Sequence, residues 1–192
     1  MERNAEQTKA RLLKAASAEF AAYGIAGARI DRIADAAATN KQMIYAYFGN
    51  KAALFDTVFS TFVGESLTQV DFDAADLPQY AGRLYERFAE DPELLRLSTW
   101  YRLERPDGEG LEAVVAVNNV RLDRLREAQE AGVLPSHFNP VELLSLIQAI
   151  ATSWATMNPE FAQASERVDR AERRRAVVAA VKRLLADAPL DD

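Results

Sequence analysis

The stretch ATNKQMIYAYFGNK, residues 38–51, concentrates amide, ammonium and phenol groups in fourteen positions. Its apolar residues recur at roughly helical spacing, so one face of a short helix would be buried. The outward face would then carry Lys41, Gln42, Tyr47 and Lys51. Lysine can meet the guanine edge, glutamine can meet the adenine edge, and ammonium or hydroxyl groups can hold phosphate. The stretch therefore predicts either a packing element or a nucleic-acid contact surface.

The residues around this stretch predict the elements that would position it. A short helix over about 30–37 precedes it, and the turn ATN follows, with Asn40 placed to cap the next helix, about 41–47. A helix, a short turn and a second helix form the helix-turn-helix layout, here about 29–48. In that motif the first turn of the second helix reads bases. The predicted base contacts are Lys41, Gln42 and Met43, and the predicted phosphate contacts are Tyr45, Tyr47 and Lys51.

The rest of the chain predicts helices only, so the expected fold class is all-α, with about nine helices. A first helix through Leu12 and Phe20 would end at Gly24 as a left-handed C-cap, and Asn50 would cap a fourth helix. Segments that contain proline or glycine separate five longer helices, near 77–90, 92–105, 110–131, 140–156 and 168–187.

Composition limits the possible classes of protein. The chain has 192 residues, 49% of them hydrophobic, and no apolar run reaches the ~18 residues that span a bilayer. Its charged first residues lack a secretory signal, so we expect a cytoplasmic protein with no membrane partner. With no cysteine and only His137, we expect no metal site and no cofactor. The acid pairs Asp71/Asp73 and Asp107/Glu109 are predicted to lie in solvent-exposed loops between helices.

Charge is distributed unevenly along the chain. The net charge is −6, which alone argues against a nucleic-acid partner. Residues 1–51, however, hold eight Lys/Arg against five Asp/Glu, whereas residues 52–192 hold fifteen against twenty-four. The first segment is thus +3 and the second −9. A basic first segment followed by an acidic one is expected when only the first segment contacts an anionic polymer.

The combined pattern over residues 8–60 resembles the DNA-binding region of the tetracycline-repressor-like (TetR) family of bacterial regulators. The first two helices carry the matching residues Ala15, Ala16, Phe20, Gly24, Ile33 and Ala34. The third carries the family's LY-x-YF-x-x-K spacing through Ile44, Tyr45, Tyr47, Phe48 and Lys51. Ala28, Arg29, Ala38 and Thr39 depart from the usual threonines, turn glycine and turn valine. Arg29 could replace a threonine contact to phosphate, while a left-handed alanine at 38 would cost about 1 kcal/mol.

The resemblance implies a ligand-responsive transcriptional regulator, usually a repressor, that binds operator DNA as a homodimer. We expect a DNA-binding domain at 6–50 and a ligand-binding and dimerisation domain at 51–192. The operator would be an inverted repeat and the effector a small organic molecule, uncharged or weakly polar. Predicted effector contacts are Phe62, Trp100, Tyr101, Asn118 and Trp154. Predicted dimer contacts are Leu143, Ile147, Ile150, Val177, Val181 and Leu184, with Ala149, Ala151, Ala176, Ala179 and Ala180 allowing close approach.

Two other functions remain open at this stage. An enzyme would need a catalytic constellation, and His137 in a loop is the only histidine available. No glycine-rich phosphate loop or nucleophile elbow occurs. The second alternative is a helical sensor or carrier that has lost DNA binding, which the alanines at 28 and 38 would permit.

Overall fold

The structure of the protein is a computed structural model that describes residues 2–105 and 112–186. These ranges hold ten α-helices and no strand, which confirms the all-α prediction. The helices are α1 (Glu2–Gly27), α2 (Ile30–Ala36), α3 (Lys41–Phe48), α4 (Lys51–Gln69), α5 (Leu77–Glu90), α6 (Pro92–Glu104), α7 (Glu112–Glu130), α8 (Pro140–Thr152), α9 (Ala162–Ser165) and α10 (Arg170–Leu184). Short 3₁₀ helices cover Ala74–Asp76 and Pro159–Phe161.

The predicted helix limits agree with the structure to within a few residues. Helix α8 is the main exception, because it ends at Thr152 rather than near 156. There the hydroxyls of Thr152 and Ser153 donate to the carbonyls of Gln148 and Ile150. Helix α9 and the 3₁₀ helices were missed because three or four residues are too few to show a period. The acid pair Asp107/Glu109 lies outside the described residues.

The chain divides into two compact units. The first comprises Met1–Leu67 and Asp91–Val115, so it groups α6 with the first three helices and most of α4. The second comprises Thr68–Glu90 and Ala116–Asp192. The domain limits expected from the sequence, 6–50 and 51–192, stay a prediction.

The core of the first unit lies beneath the helix-turn-helix. Ile33 and Ile44 are fully buried, so each of the two short helices rests on an apolar anchor. Phe55 of α4 meets Phe20 of α1 edge-on, with ring centroids 5.1 Å apart. Tyr101 of α6 stacks on Phe59 at 3.9 Å and on Phe55 at 5.9 Å. These rings join α1, α4 and α6 in the core of the first unit.

Helix α6 also binds the end of α1 through one stripe of side chains. Arg96 donates to the carbonyls of Ala21 (2.6 Å) and Ala22 (3.1 Å), and Trp100 donates to Ala21 at 3.3 Å. These carbonyls lie just before the break in α1 and need partners from outside the helix. One turn further, Glu104 accepts the Ile25 N–H at 3.0 Å.

The break in α1 is at Gly24, where φ is 66° and ψ is −175°. The positive φ agrees with the predicted helix end, but ψ lies outside the left-handed helical region of a C-cap. A Cβ at Gly24 would lie 2.7 Å from the Trp100 ring and 2.6 Å from the Glu104 carboxylate. Glycine is therefore required both for the backbone angle and for the close approach of α6.

The second unit packs α5, α8 and α10 around a separate core. Gly82 lets α10 approach closely, because a Cβ there would lie 3.0 Å from Val178. Arg174 pairs with Glu86 at 3.0 Å on the same contact between α5 and α10. Capping boxes begin α8 at Asn139 and α10 at Asp169. Capping residues close in sequence thus define where these helices begin, and apolar packing orients them.

The turn between α2 and α3 holds a strained alanine. Thr39 N–H donates to the Ala34 carbonyl and Ala38 N–H to the Asp35 carbonyl, both at 3.0 Å. This pattern is a Schellman motif, whose penultimate position favours glycine. Ala38 has φ of 50°, which is left-handed. The turn therefore keeps its geometry despite the alanine, at a cost of about 1 kcal/mol.

We expect Ala38→Gly to stabilise the protein by roughly 0.5–1 kcal/mol, because relief of the left-handed strain exceeds the added entropy of the unfolded chain. Thermal unfolding measures the change. Exposed Ala36, in the last turn of α2, is the matched control. Ala36→Gly should destabilise the protein by about 1 kcal/mol. A lower melting temperature for Ala38→Gly would contradict the strain.

Candidate nucleic-acid interface

Helix α3 separates its buried residues from its exposed polar residues. Ile44 is 0% and Phe48 is 8% exposed, whereas Lys41 and Gln42 are exposed and Tyr45 is 48% exposed. Met43 and Tyr47 lie at the boundary. Lys41 and Gln42 therefore project outward, as the sequence predicted. Tyr45 lies exposed beside them, whereas Tyr47 and Lys51, also predicted on the outward face, are half-buried.

Asn40 and Asn50 cap α3 and α4. Asn40 Oδ1 accepts the Met43 N–H at 3.0 Å, and Asn50 Oδ1 accepts the Ala53 N–H at 2.9 Å. Both caps were predicted from the sequence and both are confirmed. The cap occupies the Asn40 side-chain oxygen, so a DNA contact by this residue would use its amide N–H groups.

Both predicted lysine contacts have partners within the protein. Lys41 Nζ lies 3.4 Å from Asp31 in an exposed pair, where the energy gain is small. Lys51 Nζ donates to the Ala28 carbonyl at 3.2 Å. A lysine ammonium has three donors, so this bond leaves others for phosphate. Lys51 thus also ties the start of α4 to the residues before α2.

The sequence analysis missed Glu19 of α1, which organises the start of α2. Its Oε1 accepts the Arg29 N–H at 2.8 Å and Arg32 Nε at 2.7 Å. The Glu19 side chain is only 10% exposed. Arg29 is the N-cap of α2 but makes no side-chain cap bond. A carboxylate from another helix therefore holds the position that usually relies on a hydroxyl cap.

Arg32 completes this arrangement. Its guanidinium also donates to the Gly27 carbonyl at 3.1 Å and lies 4.3 Å over the Tyr23 ring. The hydrogen bond to Glu19 raises the pKa of Arg32 above its ordinary value. Three side chains thus hold the segment before α2. Arg32 binds the carbonyl of Gly27, Lys51 that of Ala28, and Glu19 accepts the N–H of Arg29. The Arg29 side chain itself is exposed.

The predicted effector contacts are divided between the two units. Trp100 and Tyr101 serve the packing of α6 described above, and Tyr101 is only 4% exposed. Phe62 lines a cleft of about 200 Å³ in the first unit. In the second unit, Asn118 Oδ1 lies 3.5 Å from Gln148 Nε2, and Trp154 lies under the Arg173 guanidinium at 5.1 Å.

The predicted dimer contacts need correction. Leu143, Ile147, Val177 and Val181 are 0–2% exposed within the single chain. They are core residues of their own unit and cannot form the surface of a partner contact. Ile150 and Leu184 are half-buried. The exposed side of α8 and α10 carries Leu146 together with Ala149, Ala176 and Ala179, three of the alanines that the sequence predicted for close approach.

In ranges 2–105 and 112–186, no three potential metal ligands of the His, Cys, Asp or Glu type lie together. Over the same part of the chain, no helix is long and apolar enough to cross a bilayer. His137 contacts the Leu184 carbonyl at 3.0 Å and packs against Phe138.

Comparison with known families decides the identity of this interface. Residues 12–58 match the model described as "Bacterial regulatory proteins, tetR family". Residues 76–183 match "Tetracyclin repressor-like, C-terminal domain". The chain belongs to the TetR family. As a TetR-family protein it is a DNA-binding transcriptional regulator and not an enzyme. The resemblance seen in the sequence is confirmed.

Relatives of this TetR-family chain include proteins of known structure. The HTH-type transcriptional repressor SCO4008 of Streptomyces coelicolor is 42% identical over 160 residues, 82% of this chain and 83% of that protein. The crystal structure of SCO4942 from the same species has a TM-score of 0.83 and 42% identity, covering 94% and 99% of the two chains. FadR from Bacillus subtilis, in complex with stearoyl-CoA, has a TM-score of 0.69 at 17% identity, covering 90% and 97%. That last likeness concerns the fold alone.

We expect Glu19→Ala to destabilise the protein by about 1–2 kcal/mol, because it removes a charge-assisted acceptor from Arg32 and the Arg29 N–H. Adding Arg29→Thr supplies a hydroxyl N-cap worth about 1 kcal/mol. The double variant should therefore recover stability in thermal unfolding without recovering DNA affinity, since the exposed guanidinium of Arg29 is gone.

The matched control for Glu19 is Glu6→Ala, an exposed carboxylate on the same helix. It should leave the melting temperature within the error of the measurement. If Glu19→Ala behaved like Glu6→Ala, the carboxylate would not be holding the start of α2.

Proposed function

We propose that the protein is a homodimeric repressor that binds an inverted-repeat operator through α3 and releases it when a small organic effector binds. The observation that carries this proposal is the shared exposure of Lys41, Gln42 and Tyr45 above buried Ile44. Nothing in an apolar core would use those polar groups. We assign cytoplasmic action on chromosomal DNA, in keeping with the family.

The proposed roles on DNA differ among the residues. Gln42 and Lys41 lie in the first turn of α3, which meets base edges in helix-turn-helix proteins. Met43 would contact a thymine methyl. Arg29, Tyr45, Tyr47 and Lys51 would hold phosphates on either side. The first group sets which sequence is bound, and the second sets register and most of the salt dependence.

The proposed dimer uses the outward side of α8 and α10. Leu146 is 36% exposed, and Ala149, Ala176 and Ala179 are exposed around it. Small side chains permit close approach of two helices, and isologous pairing of this surface would give a two-fold dimer. Two identical heads then require an inverted repeat, with half-sites about one helical turn (~34–36 Å) or a multiple apart.

An effector response is proposed from family membership. An effector can shift the protein only through different affinities for the bound and released states. Linkage then requires the operator to weaken effector binding by the same factor.

We expect Gln42→Ala to cost roughly 1–3 kcal/mol on the operator and to relax preference at one base pair. Lys51→Ala should instead weaken operator and random DNA about equally, with the salt slope reduced by about 1. Electrophoretic retention on genomic fragments, followed by salt titration on the recovered site, measures both changes.

Exposed Arg167, which precedes α10, is the control for a general charge effect. Arg167→Ala should alter neither the affinity nor the salt slope. If Gln42→Ala lowered operator and random-DNA binding in parallel, α3 would not be the reading helix. Absence of any sequence-dependent shift in the wild type would favour the carrier alternative.

We expect Ala179→Arg to give a monomer in analytical ultracentrifugation, because an arginine would separate the two copies of α10. Loss of the second head should lower operator affinity by about 10²–10⁴, while binding to one half-site persists. Ala131→Arg, at an exposed position after α7, is the control and should stay dimeric. An Ala179→Arg protein that remained dimeric would place the interface elsewhere.

A further inference from the structure

A buried tyrosine in the second unit has a hydroxyl that the fold does not use. Tyr80 of α5 is 0% exposed. Among the described residues, its hydroxyl has no hydrogen-bond partner. The Gln148 amide lies near enough to lower the pKa of Tyr80, but without the geometry of a hydrogen bond. A buried donor without an acceptor is costly and rare, so it needs an explanation.

A buried cation lies beside this hydroxyl. Arg121 of α7 is 3% exposed, and its guanidinium carbon lies 5.3 Å from the Tyr80 ring centroid and 5.7 Å from that of Phe72. Burial raises the pKa of Tyr80 by more than the Arg121 charge lowers it, so the phenol keeps its proton and is a donor. Arginine stays charged when buried. The two side chains thus offer donors and a positive charge in one place.

Polar side chains from two other positions complete the cluster. Asn118 lies one turn before Arg121 on the same face of α7. Gln148 Nε2 of α8 donates to Asn118 Oδ1 at 3.5 Å. Three helices, α5, α7 and α8, therefore contribute to one polar cluster inside an otherwise apolar unit. Phe72 packs edge-on against Tyr80, with centroids 4.8 Å apart, and supplies an aromatic wall.

We propose that the cluster of Tyr80, Arg121, Asn118 and Gln148 binds the carboxylate of a small organic acid whose apolar body packs near Phe72. The assignment rests on the proposed effector response and names the chemical class of the effector. The guanidinium supplies charge and a planar set of donors that suit a carboxylate, and the phenol supplies one more. The effector is therefore an anion, not the uncharged molecule expected from the sequence.

A structural role and a ligand-binding role for the cluster predict different stabilities for its variants. If Tyr80 and Arg121 supported the fold, replacing either would lower the melting temperature of the ligand-free protein. If they serve a ligand, Tyr80→Phe removes an unsatisfied donor and should leave that temperature unchanged or higher.

The test uses full-length protein with acetate and benzoate as probes, and acetamide and benzamide as their neutral counterparts. We expect the wild type to be stabilised by the carboxylates and not by the amides, with benzoate bound more tightly. Tyr80→Phe should weaken benzoate by about 10- to 100-fold, the effect of one hydrogen bond to a charged group. Arg121→Met should abolish the preference for carboxylate over amide. Calorimetry gives the affinities, and thermal unfolding gives the ligand-free stabilities.

Tyr85→Phe is the matched control, because Tyr85 is a second tyrosine of α5 that is 5% exposed. It should leave benzoate affinity unchanged. Equal binding of amides and carboxylates, no carboxylate binding by the wild type, or a large loss of ligand-free stability in Tyr80→Phe would each overturn the assignment. Operator retention is measured on the same samples, so a failure of the proposed DNA function is seen separately from a failure of this site.

Discussion

Burial of apolar side chains beneath α2 and α3 holds the proposed DNA-contacting surface in place. Helices of seven and eight residues are not stable on their own, so their orientation depends on tertiary packing. Because Ile44 and Phe48 point into the core, the geometry of a helix forces Lys41, Gln42 and Tyr45 outward. In the same unit, aromatic contacts join α1, α4 and α6. The packing of α3 therefore also sets the orientation of its exposed side chains.

Periodicity predicted the helices well and their partners poorly. The apolar pattern of α8 and α10 correctly indicated a buried face, but a pattern carries no information on whether the same chain or a second copy covers it. Val181 therefore read equally well as core or interface. The burial of Arg121 could not be predicted from the sequence, because the residues that surround it, such as Phe72 and Tyr80, are distant along the chain. Glu19 was missed because its contacts with Arg29 and Arg32 depend on how α1 packs against α2, which the apolar pattern does not show.

The departures from the usual family pattern at positions 28, 29 and 38 are accommodated by different means. At the start of α2, the Glu19 carboxylate of α1, the Lys51 ammonium of α4 and Arg32 of α2 itself replace a local hydroxyl cap. At the turn, the backbone keeps its left-handed angle with an alanine in place of glycine. The first solution recruits long-range contacts, whereas the second accepts local strain. Both preserve the spacing between α2 and α3, on which simultaneous contact with phosphates and bases depends.

Gly24 shows how two constraints at one residue restrict evolutionary paths. Any side chain there would meet both the Trp100 ring and the Glu104 carboxylate, and would also occupy a backbone angle that L residues avoid. A smaller residue at 100 would relieve only the crowding, and it would lose the bond to the Ala21 carbonyl. No single second-site change repairs both defects. A lineage that lost this glycine would have to rebuild the junction between α1 and α6 before it could bind DNA in the same geometry.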